Sequence, residues 1–146
     1  MIVGVPKEVK KDEHRVGMRP VGAEVLVRDG HTVLVQSSAG IGSGFSEEQF
    51  EAACATIVPD AAAVWSRADM VVKVKEPQPQ EVAMIREGQT VFTYFHFAAD
   101  KALTIGCLER KCVSCAYETL TDDRGYLPLL TPMSEVAGKL SVQEGA

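Results

Sequence analysis

The sequence predicts an α/β fold, a doubly wound and mostly parallel sheet with helices on both faces. Three observations predict it. Short apolar runs alternate with helical stretches along the whole chain. The runs, such as Thr32-Val33-Leu34-Val35-Gln36, are β-branched and nearly continuous, as in strands covered on both sides, and lack the alternation of a half-solvated sheet. No internal repeat or low-complexity segment interrupts the pattern.

Each element has a local reason. Ile2-Val3-Gly4-Val5 reads as a first strand, and Arg19-Pro20 opens a helix, because proline's fixed φ and missing N–H suit the first helical turn. Asp29-Gly30 stops that helix. Thr32 to Gln36 is the second strand, followed by the glycine-rich Gly40-Ile41-Gly42-Ser43-Gly44. Ser46 and Gln49 form a capping box for a short helix through Ala53, and Asp60 caps a helix containing Val64 and Trp65.

Met70 to Lys75 reads as a strand, broken by Glu76-Pro77-Gln78-Pro79 because neither proline can donate to a ladder. Gln80 to Ile85 fits a short helix ending near Gly88, and Thr90 to Phe95 is again a strand. Asp100 caps a helix to about Arg110, Cys112 to Ala116 is a strand, and Asp122 to Gly125 is a turn. Pro132 opens a last helix. Its Met133, Val136, Ala137 and Leu140 recur at helical spacing, a stripe expected to face a partner or a second copy.

The 146 residues are one domain's worth of chain, enough to bury about two-thirds of the unfolded surface. Apolar residues at 46% and charged ones at 24% describe a globular domain and exclude a disordered one. The net charge of −5 and the offset of Lys7, Lys10 and Lys11 by Glu8, Asp12 and Glu13 exclude a nucleic-acid binder, which needs a basic face. No apolar stretch is long enough to span a bilayer and no signal peptide opens the chain, so no membrane partner and residence in the cytoplasm are expected.

Cys107, Cys112 and Cys115 share the spacing of an iron–sulfur run, but the fourth cysteine, Cys54, lies upstream of them. In a strand Cys112 and Cys115 point to opposite faces, poor geometry for one metal. Buried free thiols and no metal site are expected.

In an open α/β sheet the ligand crevice lies at the carboxyl ends of the strands. Arg15 follows the first strand, Lys75 and His96 end two others, and Tyr117 and Glu118 follow the last. A guanidinium, an ammonium and an imidazole converging there suit a small carboxylate that also carries a carbonyl or amine. Taken singly, each has a plainer reading: Arg15 a surface charge, Lys75 a solvated strand end, His96 a hydrogen-bonded core residue between Phe95 and Phe97. The glycine run is not a G-x-G-x-x-G fingerprint and does not open a helix directly, so it reads as a plain flexible loop and not as a phosphate cradle.

Several segments carry a resemblance. They are Val3-Gly4-Val5-Pro6-Lys7-Glu8, Glu13-His14-Arg15-Val16, Lys73-Val74-Lys75-Glu76-Pro77, Phe92-Thr93-Tyr94-Phe95-His96-Phe97-Ala98-Ala99, Ala116-Tyr117-Glu118-Thr119 and Leu129-Leu130-Thr131-Pro132-Met133-Ser134-Glu135-Val136-Ala137-Gly138. In this order they resemble the N-terminal part of the alanine dehydrogenase and pyridine nucleotide transhydrogenase family, on the alanine dehydrogenase side. The resemblance implies a Rossmann-like or flavodoxin-like domain. It also implies an oxidoreductase acting on a CH–NH2 donor, which converts L-alanine, NAD and water to pyruvate, ammonium and NADH.

Carried over by position, Arg15 resembles the arginine that grips the substrate carboxylate and Lys75 the lysine that polarises its carbonyl or imine. His96 resembles the catalytic general acid/base, Ser134 a serine that touches the NAD cofactor, and Tyr94 and Met133 pocket walls that contact substrate. The resemblance further implies a substrate (catalytic) domain over 1–128, the start of an interdomain linker helix over 129–146, and an NAD-binding domain absent from this chain together with the family's catalytic aspartate. Catalysis by the chain alone is then not expected, NAD binding by it is expected to be weak or absent, and homo-oligomers are the family's habit. Two readings of other classes stay open: a non-catalytic binding or regulatory module, and the N-terminal part of a transhydrogenase alpha subunit.

Overall fold

The computed structural model describes residues 1–145. The segment 129–146 assigned above to a linker helix therefore has one residue, Ala146, outside the described residues. In chain order the elements are β1 (Ile2–Val5), α1 (Pro20–Arg28), β2 (Thr32–Gln36), α2 (Glu47–Ala52), β3 (Thr56–Val58) and α3 (Ala61–Arg67). There follow β4 (Met70–Val72), α4 (Pro79–Val82), β5 (Thr90–Thr93), α5 (Lys101–Arg110), β6 (Val113–Ala116) and α6 (Thr131–Glu144).

The strands form one six-stranded sheet in the order β3-β2-β1-β4-β5-β6, and every pairing is parallel. The register sets Val3 beside Val33 and Met70, and Val71 beside Val91. Successive residues of a strand point to opposite faces. Val33 and Val35 accordingly pack with Ala23 of α1 and Phe50 of α2, whereas Leu34 packs with Val64 of α3. Trp65, Val71, Val91, Leu103 and Cys107 extend the second face through α3 and α5. Helices therefore cover both faces, as predicted.

The caps form as read from the sequence. Asp60 accepts from the Ala63 N–H at 2.8 Å and Asp100 from the Leu103 N–H at 2.9 Å, while Gln49 accepts from the Ser46 N–H at 2.9 Å. Gly4 in β1 has a packing reason: a Cβ there would stand 2.6 Å from Val64 Cγ1 and 2.7 Å from Ala68 Cβ. Glycine lets α3 lie directly on the central strand.

Six points of the sequence reading need correction. Thr56–Val58 is a strand, β3, which the sequence reading passed over although Thr56-Ile57-Val58 is β-branched throughout. The strand expected over Met70 to Lys75 ends at Val72, because the Glu8 carboxylate takes the Val74 N–H at 2.7 Å and the Lys75 N–H at 3.4 Å and removes them from the ladder. The strand expected over Thr90 to Phe95 ends at Thr93 for a parallel reason, since Glu118 takes the N–H groups of Phe95 and His96 at 3.0 and 2.7 Å. Helix α4 is also shorter than Gln80 to Ile85.

The glycine run is no free loop. Residues Ile41–Ser43 form a tight 3₁₀ turn, and a Cβ on Gly42 would collide with the His14 carbonyl oxygen. Of the four unbridged cysteines Cys107 is buried, but Cys54 is exposed, contrary to the buried thiols expected. Burial pushes the Cys107 thiol up to about 12, so it stays protonated and unreactive.

Candidate active site

The strand order reverses between β1 and β4: β1 runs on to β2 on one side, while β4 returns to pair it on the other. In an open parallel sheet this switch point splays the loops at the carboxyl ends and leaves a crevice. A cavity of about 410 Å³ lies there. Arg15, Val16 and Gly17 line it from the segment after β1, Lys73 and Val74 from the segment after β4, Tyr94 from beyond β5 and Tyr117 from beyond β6. Leu129 and Met133 close it from the start of α6.

The walls are mostly apolar and aromatic. Tyr94 and Tyr117 meet edge to face with centroids 4.8 Å apart, and Tyr117 packs on Phe92 in the same way at 4.3 Å. The Tyr94 hydroxyl donates to the Leu129 carbonyl at 2.6 Å, tying the sheet end to the segment that leads into α6. Burial holds both phenols above their ordinary range, so they remain neutral donors.

Under the cavity lies a charge cluster that the sequence reading missed. The Lys73 side chain is 0% exposed, and its ammonium donates to Glu8 at 3.1 Å and to Glu81 at 2.7 Å. Burial pushes the Glu81 carboxyl up, against the pull of Lys73. Glu8 also accepts the Val74 and Lys75 N–H groups, so one carboxylate joins the segments after β1 and β4. The only local trace was Glu81 in the turn after Pro79, where it also accepts from the Gln78 N–H at 2.9 Å. Pairing across 65 residues has no local signature.

The sequence-predicted site residues are distributed as follows. Arg15, Tyr94 and Met133 share the cavity. Lys75 is half-buried and directly follows the wall residue Val74, but is itself not part of the wall. His96 is exposed and borders a neighbouring cavity of about 400 Å³ with Glu118. Its ring lies nearly parallel to that of the first cavity's wall residue Tyr94, with centroids 6.3 Å apart. His96 has φ 53°, in the left-handed region, held there with its N–H on Glu118. Ser134 lies exposed in the first turn of α6 and does not reach the cavity.

Arg15 is not a free surface charge. Its Nε donates to Glu13 Oε1 at 2.8 Å and its Nη2 to Glu13 Oε2 at 2.6 Å. The hydrogen bonds and charge of Arg15 hold the Glu13 carboxyl down at about 2, and Lys75 contributes to the same lowering. Glu13 thus lies in the field of both cations that the sequence singled out.

The segment that most resembles a nucleotide loop does not fit a dinucleotide. The space beside Gly42 is filled by His14, and the turn it belongs to precedes a helix of only six residues. The described residues therefore offer no pyrophosphate cradle.

An alternating strand–helix chain with a parallel sheet and a cavity at its switch point defines an α/β domain of the doubly wound class. Comparison with known proteins narrows this. The sequence model described as alanine dehydrogenase/PNT, N-terminal domain, matches residues 4–137, and the chain belongs to this family. It is 52% identical over all 146 residues to an alanine dehydrogenase of Halomonas elongata and 49% identical to that of Bacillus subtilis. The match spans 39% and 38% of those proteins, so the chain corresponds to well under half their length. Among solved structures, an L-alanine dehydrogenase superposes over the full chain with a TM-score of 0.94 at 49% identity, covering 40% of that protein. The transhydrogenase from Sinorhizobium meliloti covers 82% of the chain and 34% of its own, with a TM-score of 0.77 and 27% identity. Among the described residues no helix is long and apolar enough to cross a membrane.

Proposed function

We propose that this chain carries the substrate half of an L-alanine dehydrogenase, the enzyme that interconverts L-alanine, NAD and water with pyruvate, ammonium and NADH. The observation that carries this reading is a guanidinium, Arg15, on the wall of a mostly apolar and aromatic cavity, which Arg19 and Lys73 also line, at the switch point of the sheet. A cavity of about 410 Å³ with such a group suits a small 2-oxo or 2-amino acid: the carboxylate on Arg15, the methyl group against Tyr94, Val74 and Met133. In this proposal Lys75 approaches the carbonyl or imine and His96 moves the proton, both from the cavity edge. The higher identity, 49–52% against 27%, favours this over a transhydrogenase.

Residues 1–128 are then a substrate domain and 129–146 begin a linker helix. Ser134 would meet NAD only when the part of the relatives that this chain does not span is present. No hydride step is assigned to the residues described, because none of them forms a cofactor cradle. Cytoplasmic residence and homo-oligomeric assembly belong to the same proposal.

A thermal-shift titration tests it. Ligand that binds only the folded state raises stability by RT ln(1 + [L]/Kd), about 2.7 kcal/mol at a hundredfold excess over Kd. Pyruvate should raise the melting temperature, Arg15→Ala should abolish the rise, and NADH should have no effect. No shift with pyruvate would overturn the reading for this chain.

A further inference from the structure

Glu13 and Arg15 lie two residues apart in the segment between β1 and α1, and the contact between them is unusually complete. Glu13 accepts from Arg15 three times: the backbone N–H at 2.8 Å and the side-chain Nε at 2.8 Å on Oε1, and Nη2 at 2.6 Å on Oε2. The Glu13 side chain is 7% exposed and the Arg15 side chain 48% exposed. The clamp is therefore the covered part of the pair and the guanidinium's remaining surface the open part.

A guanidinium has five N–H donors in one plane, arranged along two edges that each fit a carboxylate. Glu13 fills the Nε–Nη2 edge. One Nη1 hydrogen and the second Nη2 hydrogen make up the other edge, and Arg15 lines the cavity.

We propose that Glu13 is a positioning residue that turns the free edge of Arg15 toward the cavity and so selects a planar carboxylate over other anions. This rests on the reading above that Arg15 holds the substrate carboxylate. Two physical effects of Glu13 oppose each other. Its negative charge weakens the attraction of every anion to the site, by Coulomb's law and without regard to shape. Its clamp fixes the guanidinium plane, which helps only a ligand that accepts two parallel hydrogen bonds and would otherwise have to order a long side chain on binding. The sum in bare affinity can fall either way, but the charge effect cancels in a ratio of two monovalent anions. What remains in that ratio is the orientation. With its carboxyl held at about 2, Glu13 keeps the clamp charged throughout the neutral range.

The experiment measures pyruvate and chloride binding to the whole chain, chloride as a competitor of pyruvate, in wild type, Glu13→Ala, the near-isosteric Glu13→Gln, and Arg15→Lys. Ligand-free melts confirm that each variant is folded, and Glu13→Gln serves should the alanine variant not fold. The expected result is a fall of about tenfold in the pyruvate-over-chloride ratio in both Glu13 variants, the worth of one charge-assisted hydrogen bond. An unchanged ratio in Glu13→Gln, with pyruvate binding abolished in Arg15→Lys, would overturn the role of Glu13 and leave that of Arg15 standing. Absence of pyruvate binding in wild type, or full binding in Arg15→Lys, would overturn both.

Discussion

Strand β1 at the middle of the sheet, a continuous apolar run, and helix α6 at the C-terminal side, with apolar residues at helical spacing, place their apolar side chains in opposite surroundings. Val3 and Val5 of β1 are 2% and 0% exposed, between two parallel neighbours and under α1 and α3. In α6 no residue is buried, and Val136, Leu140 and Val142 stand 58%, 49% and 72% exposed. The charges divide in the same way: Lys73 is wholly enclosed by two carboxylates, whereas Lys139 of α6 is open to solvent. A periodic apolar pattern states what an element is able to bury. Neighbouring elements decide whether it does.

The largest test of this contrast is Lys73→Met, which leaves Glu8 and Glu81 buried without a cation. Breaking a buried pair by removing one partner costs about 3–5 kcal/mol, and urea unfolding should show that loss. Lys139→Met should change stability by less than about 0.5 kcal/mol. A small loss at Lys73 would mean that water reaches the cluster and that the centre is less closed than described.

The same substitution should have opposite signs in the two regions. Gly4→Ala drives a methyl group into Val64 and Ala68 and is expected to cost about 1–3 kcal/mol. Gly138→Ala, with nothing within 4 Å of the new methyl, should gain up to about 1 kcal/mol through helix propensity. Matched signs in a denaturant series would break the comparison.

The smallest effect concerns pH. Glu13 falls from 4.5 to about 2 on folding, so its contribution is fully present above pH 4.5 and is lost as pH falls toward 2. Arg15 is half exposed, and solvent screening limits the contribution to the 0.2–1 kcal/mol or so of a surface pair. Glu81 acts with the opposite sign: its carboxyl is raised by burial, so its contribution is present below pH 4.5 and lost as pH rises through its folded value. Denaturation at a series of pH values should therefore show Glu13→Gln lowering the profile above pH 4.5 by the Glu13 contribution without changing its shape there, and flattening its acid side.

Much of the fold was legible because its signals are local. Pro20 at a helix start, Asp60 and Asp100 as caps, and the β-branched run Thr32 to Gln36 each act within a turn or a strand. Strand β3 was harder to see, because three residues barely make a pattern. The ends of β4 and β5 were not legible at all, since Glu8 and Glu118 terminate them from 66 and 23 residues away. The candidate site divides likewise. Polar residues after parallel strands, Arg15 among them, are predictable from chain direction, whereas the Lys73 cluster and the separation of His96 from the main cavity are not.

The sequence by itself determined most of the strands and helices, that the sheet is parallel, and that Arg15, Lys75 and His96 follow the carboxyl ends of its strands. Hydrogen bonds, caps and hydrophobic periods of a few residues carry that information. Only the tertiary structure decided which strand lies beside which, and therefore that the switch point falls between β1 and β4. It also decided that Glu8 and Glu81 enclose Lys73, and that Glu13 takes the Nε and Nη2 hydrogens along one edge of Arg15. Those outcomes depend on desolvation and on contacts between distant segments, whose energies exist only once the chain has closed upon itself.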